Sequence, residues 1–477
     1  MKQTYINISK QYILLLAMLL VFAASIRGQY ISEVLEYKPA PGQHINNENW
    51  GIPSSANSIV GGLEGKLSLG AFGGYVVFRF DGPVENHPDN PFGVDFSIYG
   101  NAMEGLSEAG IVYVMKDGNQ NGLADDTWHE LAGSDHYFST YLEAYEVQFA
   151  NPQQPVAADV PWTDNLGRSG HIYANETHTQ PYYPLHDSFP VIPNDQYSLQ
   201  GNSIFQPVDT LSGIVRFPQR AFGYADNKSR GLPPYTLPDN PYTHETENGG
   251  GDAFDISWAV DEEGHYIELD EIHFVKVQTA SMQNGGWLGE VSTEISGAID
   301  ITPDPGLQGT EDMIVIRDLP LVLDTSQYQL EVMIFHNGKP LAGQEVLFTA
   351  SLAGAEVTED HLLIVSESGS LEITARLAED PDIFTTAKTL VDLSSGIGEQ
   401  TVFEQELVYP NPAIDLIKLR TEEKAGITIY PLNGISVFQI RNYQPGQSIS
   451  LSHLPAGLYI IRIQGENFHR VGKIIKK

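Results

Sequence analysis

The run Asp117-Gly118-Asn119-Gln120-Asn121-Gly122-Leu123-Ala124-Asp125-Asp126 sets side-chain oxygens at alternating positions along a short polar stretch. A hard divalent cation such as calcium takes about six to eight oxygen ligands in a flexible cage. Asp117, Asn119 and Asn121 can aim oxygens at one centre, and Gly122 permits the sharp turn that follows. Leu123 can offer its backbone carbonyl, and Asp125 can bind directly or through water. A helix-flanked calcium loop carries a bidentate Glu at its twelfth position, and this chain has Trp128 there. The missing ligand must therefore come from Asp126, Glu130 or a distant residue. Both flanks, Ile111 to Lys116 and Thr127 to Leu131, alternate as strands, so a structural calcium ion would staple a β-hairpin. The ion-free alternative is a hairpin turn rich in Asn and Gly.

Catalytic signals are scarce. The chain contains no zinc-binding His-Glu-x-x-His, no Gly-x-Ser-x-Gly elbow, no phosphate-cradling loop and no dinucleotide fingerprint. Asp252 with Asp255, and Glu290 with Glu294, are spaced so that each pair could face one side of a strand or turn. Among 61 acidic residues such pairs arise by chance, and a second ion site or solvated loop carboxylates is the favoured reading over glycosidase-type chemistry. His171, His178 and His186 lack a helical ligand frame and read as loop residues. Between Asn151 and Asn248 the sequence turns irregular and rich in Pro, Asn, Tyr and His, with Trp162, Tyr182, Tyr183, Tyr224 and Tyr242 spread along it. Flat aromatic faces beside Asp and Asn can hold a sugar ring or another flat ligand. Trp287 in Asn284-Gly-Gly-Trp-Leu-Gly289 offers a similar platform. The same rings could instead fold long loops back onto the domain as a private minor core.

The elements that position these residues read as strands. Short apolar runs alternate at period two and end in Gly, Asn or Pro, which marks an all-β chain. The net charge of −35 disfavours nucleic acid and anionic lipid as partners, because both would repel it. With no cysteine there is neither a disulfide framework nor a thiolate metal site. Residues 1–28 place Lys2 and Lys10 before Tyr12-Ile-Leu-Leu-Leu-Ala-Met-Leu-Leu-Val-Phe, the pattern of a secretory signal peptide cleaved after Ser25 or Gly28. No other stretch is long enough to form a transmembrane helix. One large domain is expected over residues 29–304 and a second over 307–393, where Asn337-Gly338 signals a tight hairpin. A short linker, 394–404, then leads into a final small β-domain, 405–477.

Three of these regions resemble known families. Tyr409-Pro410-Asn411-Pro412, then Leu454-Pro-Ala-Gly457-Leu-Tyr459, then Val471-Gly472-Lys473 follow the opening, central and closing motifs of the C-terminal sorting domain of type IX secretion in Bacteroidota. That resemblance implies handling by the type IX machinery and passage through the periplasm to the outer cell surface or beyond. The phrase from Gly338 to Ser351, with Ile373 to Leu377 later, resembles immunoglobulin-like domains of bacterial surface proteins and implies a β-sandwich spacer. Ser68-Leu-Gly-Ala-Phe-Gly-Gly74, Asp95-Phe-Ser-Ile-Tyr-Gly-Asn-Ala102, Gly251 to Val260 and Gly286 to Glu294 resemble blocks of uncharacterised bacterial cell-surface proteins. Glu108-Ala109-Gly110 stands where that family more often has Glu-Pro-Gly. This resemblance implies a jelly-roll or galactose-binding-like sandwich and brings no activity with it. The combined expectation is a secreted, calcium-stabilised binder of a glycan or other nutrient, with adhesion to a surface protein and carboxylate hydrolysis as the alternatives.

Overall fold

The computed structural model describes residues 29–477, apart from 89–92, 176, 210–214, 229–250, 286–287, 303–311, 394–407, 421–423, 432–437, 453, 456 and 465–468. The expected signal peptide and linker, together with Tyr242 and Trp287, lie outside the described residues. The described chain is all-β, with a few short 3₁₀ turns between strands.

The first domain is built on a sheet whose spatial order is Glu33–Lys38, Tyr75–Arg79, Phe274–Thr279, Gly110–Met115, His129–Leu131 and Ala259–Val260, with Tyr224–Ala225 added against Gly110–Met115. Neighbouring strands in it are antiparallel. Successive side chains in a strand face opposite ways. Val76, Phe78, Val112, Val114, Val275 and Val277 therefore share one face, and they are buried. They pack on Phe96, Ile98, Phe254 and Ala298 of a second sheet formed by Gly251–Phe254, Phe96–Tyr99 and Gly297–Asp300. Each such apolar side chain contributes roughly 1.5–3 kcal/mol on burial. The opposite face of the large sheet carries Tyr75, Val77, Tyr113, Lys276 and Gln278.

The stretch expected to be irregular supplies three strands of a further sheet, completed by Leu142–Ala150 just before it, in the order Ser169–Ile172, Val160–Asp164, Leu142–Ala150, Gln196–Ser203. It has a core of its own, in which Tyr145, Phe149 and Leu199 meet Phe72 and Ala40 of the main domain.

The second domain places Asp312–Ile316, Val332–His336 and Lys339–Pro340 in one sheet. A second sheet holds Val322–Leu323, Phe384–Val391, Gly369–Leu377 and Val346–Ala350. The Asn337-Gly338 hairpin forms as expected: His336 pairs with Lys339, and both turn residues have positive φ, 47° and 76°. Glycine is required at 338 on two counts, because a Cβ there would also lie 2.5 Å from the Trp258 ring of the first domain. The second domain is thus docked on the first. Phe335 is fully buried within the first domain's core cluster, 4.9 Å between ring centroids from Phe222. The Trp258 indole N–H donates to the Asn337 carbonyl at 2.9 Å.

The final domain sets Val408–Tyr409, Leu416–Leu419 and Ile449–Ser450 against a four-stranded sheet of Phe438–Tyr443, Ala425–Pro431, Gly457–Gln464 and His469–Lys476. Ile417, Ile427, Ile429, Ile449, Ile461 and Ile474 fill the space between them.

A calcium-type hairpin loop walls a candidate binding cleft

The oxygen-rich run connects Gly110–Met115 to His129–Leu131, which pair through Tyr113 with Glu130 and Val114 with His129. The loop is therefore the tip of a hairpin. Its own side chains fold it. Asp117 accepts the backbone N–H groups of Asn121 and Gly122 at 3.1 and 2.8 Å. Asn119 and Asn121 accept from the N–H groups two residues ahead, at 3.0 and 2.7 Å. The Asn119 and Asn121 amides lie 3.2–3.3 Å from the Asp125 carboxylate. Asp126 accepts the Gly118 N–H at 3.1 Å. Gly122 has φ +77°, the left-handed conformation that the turn needs.

Asp117, Asn119, Asn121 and Asp125 are thus drawn together on one loop, the two Asn amides presenting N–H to Asp125 and their oxygens to the loop backbone; these are the oxygen-bearing residue types that calcium takes. Glu130 does not join them. It is buried beneath the hairpin, where its carboxylate accepts from the Tyr141 hydroxyl at 2.6 Å and the Asn202 amide at 2.5 Å, with the His136 ring at 3.2 Å. Its place in the His129-Glu130-Leu131 strand, opposite in facing to the core residue Leu131, already implied this.

The aromatic platform reading is corrected in part. Tyr182 and Tyr183 are each 1% exposed and belong to the core of the inserted sheet. The Tyr183 hydroxyl donates to the Pro193 carbonyl at 2.7 Å, and the Tyr182 hydroxyl accepts the Asn175 N–H at 3.1 Å. Trp162 is half-buried over Gly170, its partner across the ladder, where a Cβ would meet the indole at 2.6 Å. Tyr224 is buried as well, its hydroxyl accepting the Asp135 N–H. Tyr182, Tyr183 and Trp162 serve the minor core, because ordered loops must bury apolar area of their own, whereas Tyr224 packs with Ile111 and Tyr113 on the large sheet.

A different set of residues forms a concave site. On the outer face of the large sheet lies a cleft of about 420 Å³. Its floor is Glu36, Tyr75, Val77, Lys276 and Gln278, its far wall includes Gln200 of the inserted sheet, and its near wall is Gly122, Leu123, Ala124 and Trp128. The calcium-type loop is therefore part of the cleft. Leu123 stands 59% exposed at its edge. The Lys276 ammonium lies 4.2 Å from the Tyr113 ring centroid and 5.0 Å from that of Trp128. Burial lowers its pKa to about 8, with Glu36 and Glu130 opposing the shift. Gln278 donates to the Gly73 and Gln200 carbonyls, both at 3.0 Å, while its buried Oε1 has no partner. The Tyr75 hydroxyl donates to Glu36 at 2.7 Å. Lys276 was detectable in the sequence as the one cation in Phe274-Val-Lys-Val-Gln-Thr279, alternating with two core valines.

The carboxylate pairs lie elsewhere. Asp252, Asp255, Glu290 and Glu294 are all buried. Asp252 accepts the Asn227 and Lys228 N–H groups at 2.9 and 3.0 Å, and Asp255 accepts that of Ser257 at 2.7 Å. Burial still pushes Asp252 up to about 7 and Asp255 up to about 6. The folded chain holds protons here that an unfolded chain releases near pH 4. This contribution to stability is complete below about pH 4 and is lost as pH rises through the folded values. In chelator, the exported chain should melt at a higher temperature near pH 5 than near pH 8, and Asp252→Asn should flatten that slope. Equal slopes for wild type and variant in thermal unfolding would contradict the assignment.

Comparison with known proteins decides the tail. Residues 407–477 match the family described as the secretion system C-terminal sorting domain. The tail is a type IX sorting domain. Its motifs meet in space: the Asn411 side chain accepts the Ile475 N–H at 2.9 Å, Gly457 pairs with Lys476, and Gly472 and Lys473 pair with Ile461 and Ile460. The Tyr459 hydroxyl donates to the Pro455 carbonyl at 2.8 Å. Pro410 and Pro412 flank Asn411 in the opening motif. The sorting domain marks the chain for export to the cell surface or release.

No curated protein matches the chain. A chimeric titin Z1Z2 is similar at 13% identity over 35% of this chain and 96% of its own, with a TM-score of 0.14. Drosophila OTK extracellular domains 3–5 are similar at 11% identity over 46% of this chain and 89% of their own, with a TM-score of 0.16. A Bacteroides ovatus mixed-linkage glucan utilization protein, SGBP-B, solved with a heptasaccharide, is similar at 13% identity over 35% of this chain and 60% of its own, with a TM-score of 0.11. Overlaps this slight say nothing of a ligand. Among the described residues no helix is long and apolar enough to cross a membrane.

Proposed function

We propose that the exported chain captures a glycan or another small nutrient in the cleft on the outer face of the large sheet, with calcium fixing the loop that forms one wall. The observation that carries this reading is the composition of the cleft. An aromatic side wall stands beside a floor of polar side chains, and Gly122, Leu123 and Ala124 of the calcium-type loop complete the enclosure. Trp128 offers an apolar face for a ring, while Lys276, Gln200 and Glu36 offer hydrogen bonds around its edge. Among the described residues no carboxylate lies within ion-pair distance of Lys276, which suits it to an acceptor or anionic group on the ligand. Glu36 is the one carboxylate among the lining residues. Carboxylate hydrolysis of a glycoside needs two, which favours binding over turnover. Concavity favours a small ligand over the flat patch that an adhesin would present.

Screening the exported chain against glycans and small nutrients such as cobalamins, in calcium and in chelator, tests the reading. A specific, saturable hit that chelator abolishes is expected. Silence from protein shown to be folded would sink small-ligand capture and favour adhesion to a protein surface.

A further inference from the structure

Strand pairing sets one row of side chains across the outer face of the large sheet, because residues directly opposite each other share a face. Glu36 stands opposite Val77, Val77 opposite Lys276, Lys276 opposite Tyr113, and Tyr113 opposite Glu130. With strands about 4.8 Å apart, each carboxylate starts two strands, or roughly 10 Å, from the lysine. Both are engaged elsewhere. Glu36 accepts the Tyr75 hydroxyl at 2.7 Å, and Glu130 is buried against Tyr141, Asn202 and His136.

The Lys276 ammonium is held instead by two ring faces, those of Tyr113 and Trp128. A π face attracts the charge but gives the N–H groups only weak acceptors. Among the described residues the ammonium makes no ion pair and no hydrogen bond. Burial opposes its charge, and it lines the cleft. The rings therefore fix the position of a cation whose counter-ion must come from outside the fold.

Given the cleft as the capture site, we propose that its ligand is a sugar carrying a single negative charge, a carboxylate or a sulfate ester, which pairs with Lys276. One cation matches one charge, and a second anionic group would have to share the cleft with Glu36. Glu36 suits the sugar hydroxyls as an acceptor, and the Gln200 amide suits them as donor and acceptor. The net charge of −35 repels anions at long range, so an acidic ligand is held here by contact with Lys276. A charge-assisted hydrogen bond is about twice as strong as a neutral one, and the site thereby separates an acidic sugar from its neutral parent.

Calorimetric titration of the calcium-saturated exported chain with matched methyl glycosides tests this assignment. The probes are the neutral glucose, galactose and mannose forms, their 6-carboxylates and their 6-sulfates. One charged form should bind roughly tenfold or more tightly than its neutral parent, and its identity tells carboxylate from sulfate. Lys276→Gln and Lys276→Met, shown to be folded by circular dichroism, should each bring that ratio close to one. A preference that persists in both variants overturns the proposal. So does a neutral form that matches or exceeds its charged partners in the wild type, which removes the acidic class and leaves capture in the cleft standing. Where no glycoside binds, the strongest hit of the wider screen decides. An acidic hit weakened by Lys276→Gln supports the proposal, a neutral hit overturns it alone, and silence removes the capture reading with it.

Discussion

Replacing Arg220 by alanine is expected to destabilise the exported chain by about 3–5 kcal/mol, the cost of leaving a buried charge without its partner. The Arg220 guanidinium is buried and donates to Asp135 at 3.0 Å and to Asp318. Asp135 belongs to the first domain and Asp318 to the second, so one side chain neutralises both across their junction. Around it, Phe335 packs on Phe222 and Tyr137, and Glu331 accepts the Ser139 N–H and hydroxyl at 2.8 and 2.6 Å. With the pair broken, Asp135 is left buried without the cation that opposes its desolvation, and must take up a proton or stay ionised in a medium that solvates it poorly. The junction should loosen before either domain unfolds. Calorimetry should resolve one shared transition in the wild type and a separate, earlier one in Arg220→Ala. Combining it with Asp135→Asn should recover part of the loss. An unchanged single transition would mean that Arg220 is not what couples the two domains.

Ile461→Asp is expected to abolish export while leaving the first two domains folded. Ile461 is fully buried in the central strand of the sorting domain's four-stranded sheet. An uncompensated carboxylate there costs several kcal/mol, a large share of the ~5–15 kcal/mol that holds a typical domain together. The core cluster around Ile461 draws every member from residues 408–474, so its collapse does not propagate. The Asn411 contact to the closing strand shows the opening and closing motifs assembled by this fold. Immunoblots of cell-surface, released and periplasmic fractions should show the variant held inside. Undiminished export would mean that the short motifs are read without the fold.

Much of the architecture was legible because it follows from local rules. Alternation in Ile111 to Lys116 and Thr127 to Leu131 assigned the strands that flank the oxygen-rich run, and Asn337-Gly338 assigned its own turn. The oxygen-rich run was legible as a hairpin tip because strand patterns bracket it. What failed depended on tertiary context. A tyrosine looks the same in sequence whether it covers a ligand or a core, and Tyr182 and Tyr183 cover a core. The inserted sheet was hidden by its proline and asparagine, which punctuate its strands without excluding them. Glu130 was near enough in sequence to the loop to pass for a ligand, although the pleat turns it beneath the hairpin. The cleft was least legible, since Glu36, Tyr75, Trp128, Gln200 and Lys276 meet only through sheet pairing. The docking of the second domain, read from sequence as a spacer, rests on Phe335 and Arg220, neither of which carries a local signature.

The cleft is the centre of the functional account, and Trp128 is its most exacting test. The measurement is a calcium-saturated titration of the strongest ligand from the screen against wild type and Trp128→Ala. Losing an aromatic stacking face at a small-ligand site costs about 2 kcal/mol, or roughly 30-fold in affinity. The account predicts a weakening of that size, with folding and calcium content unchanged. Equal affinity in the two proteins would place the ligand elsewhere and contradict the assignment of this cleft.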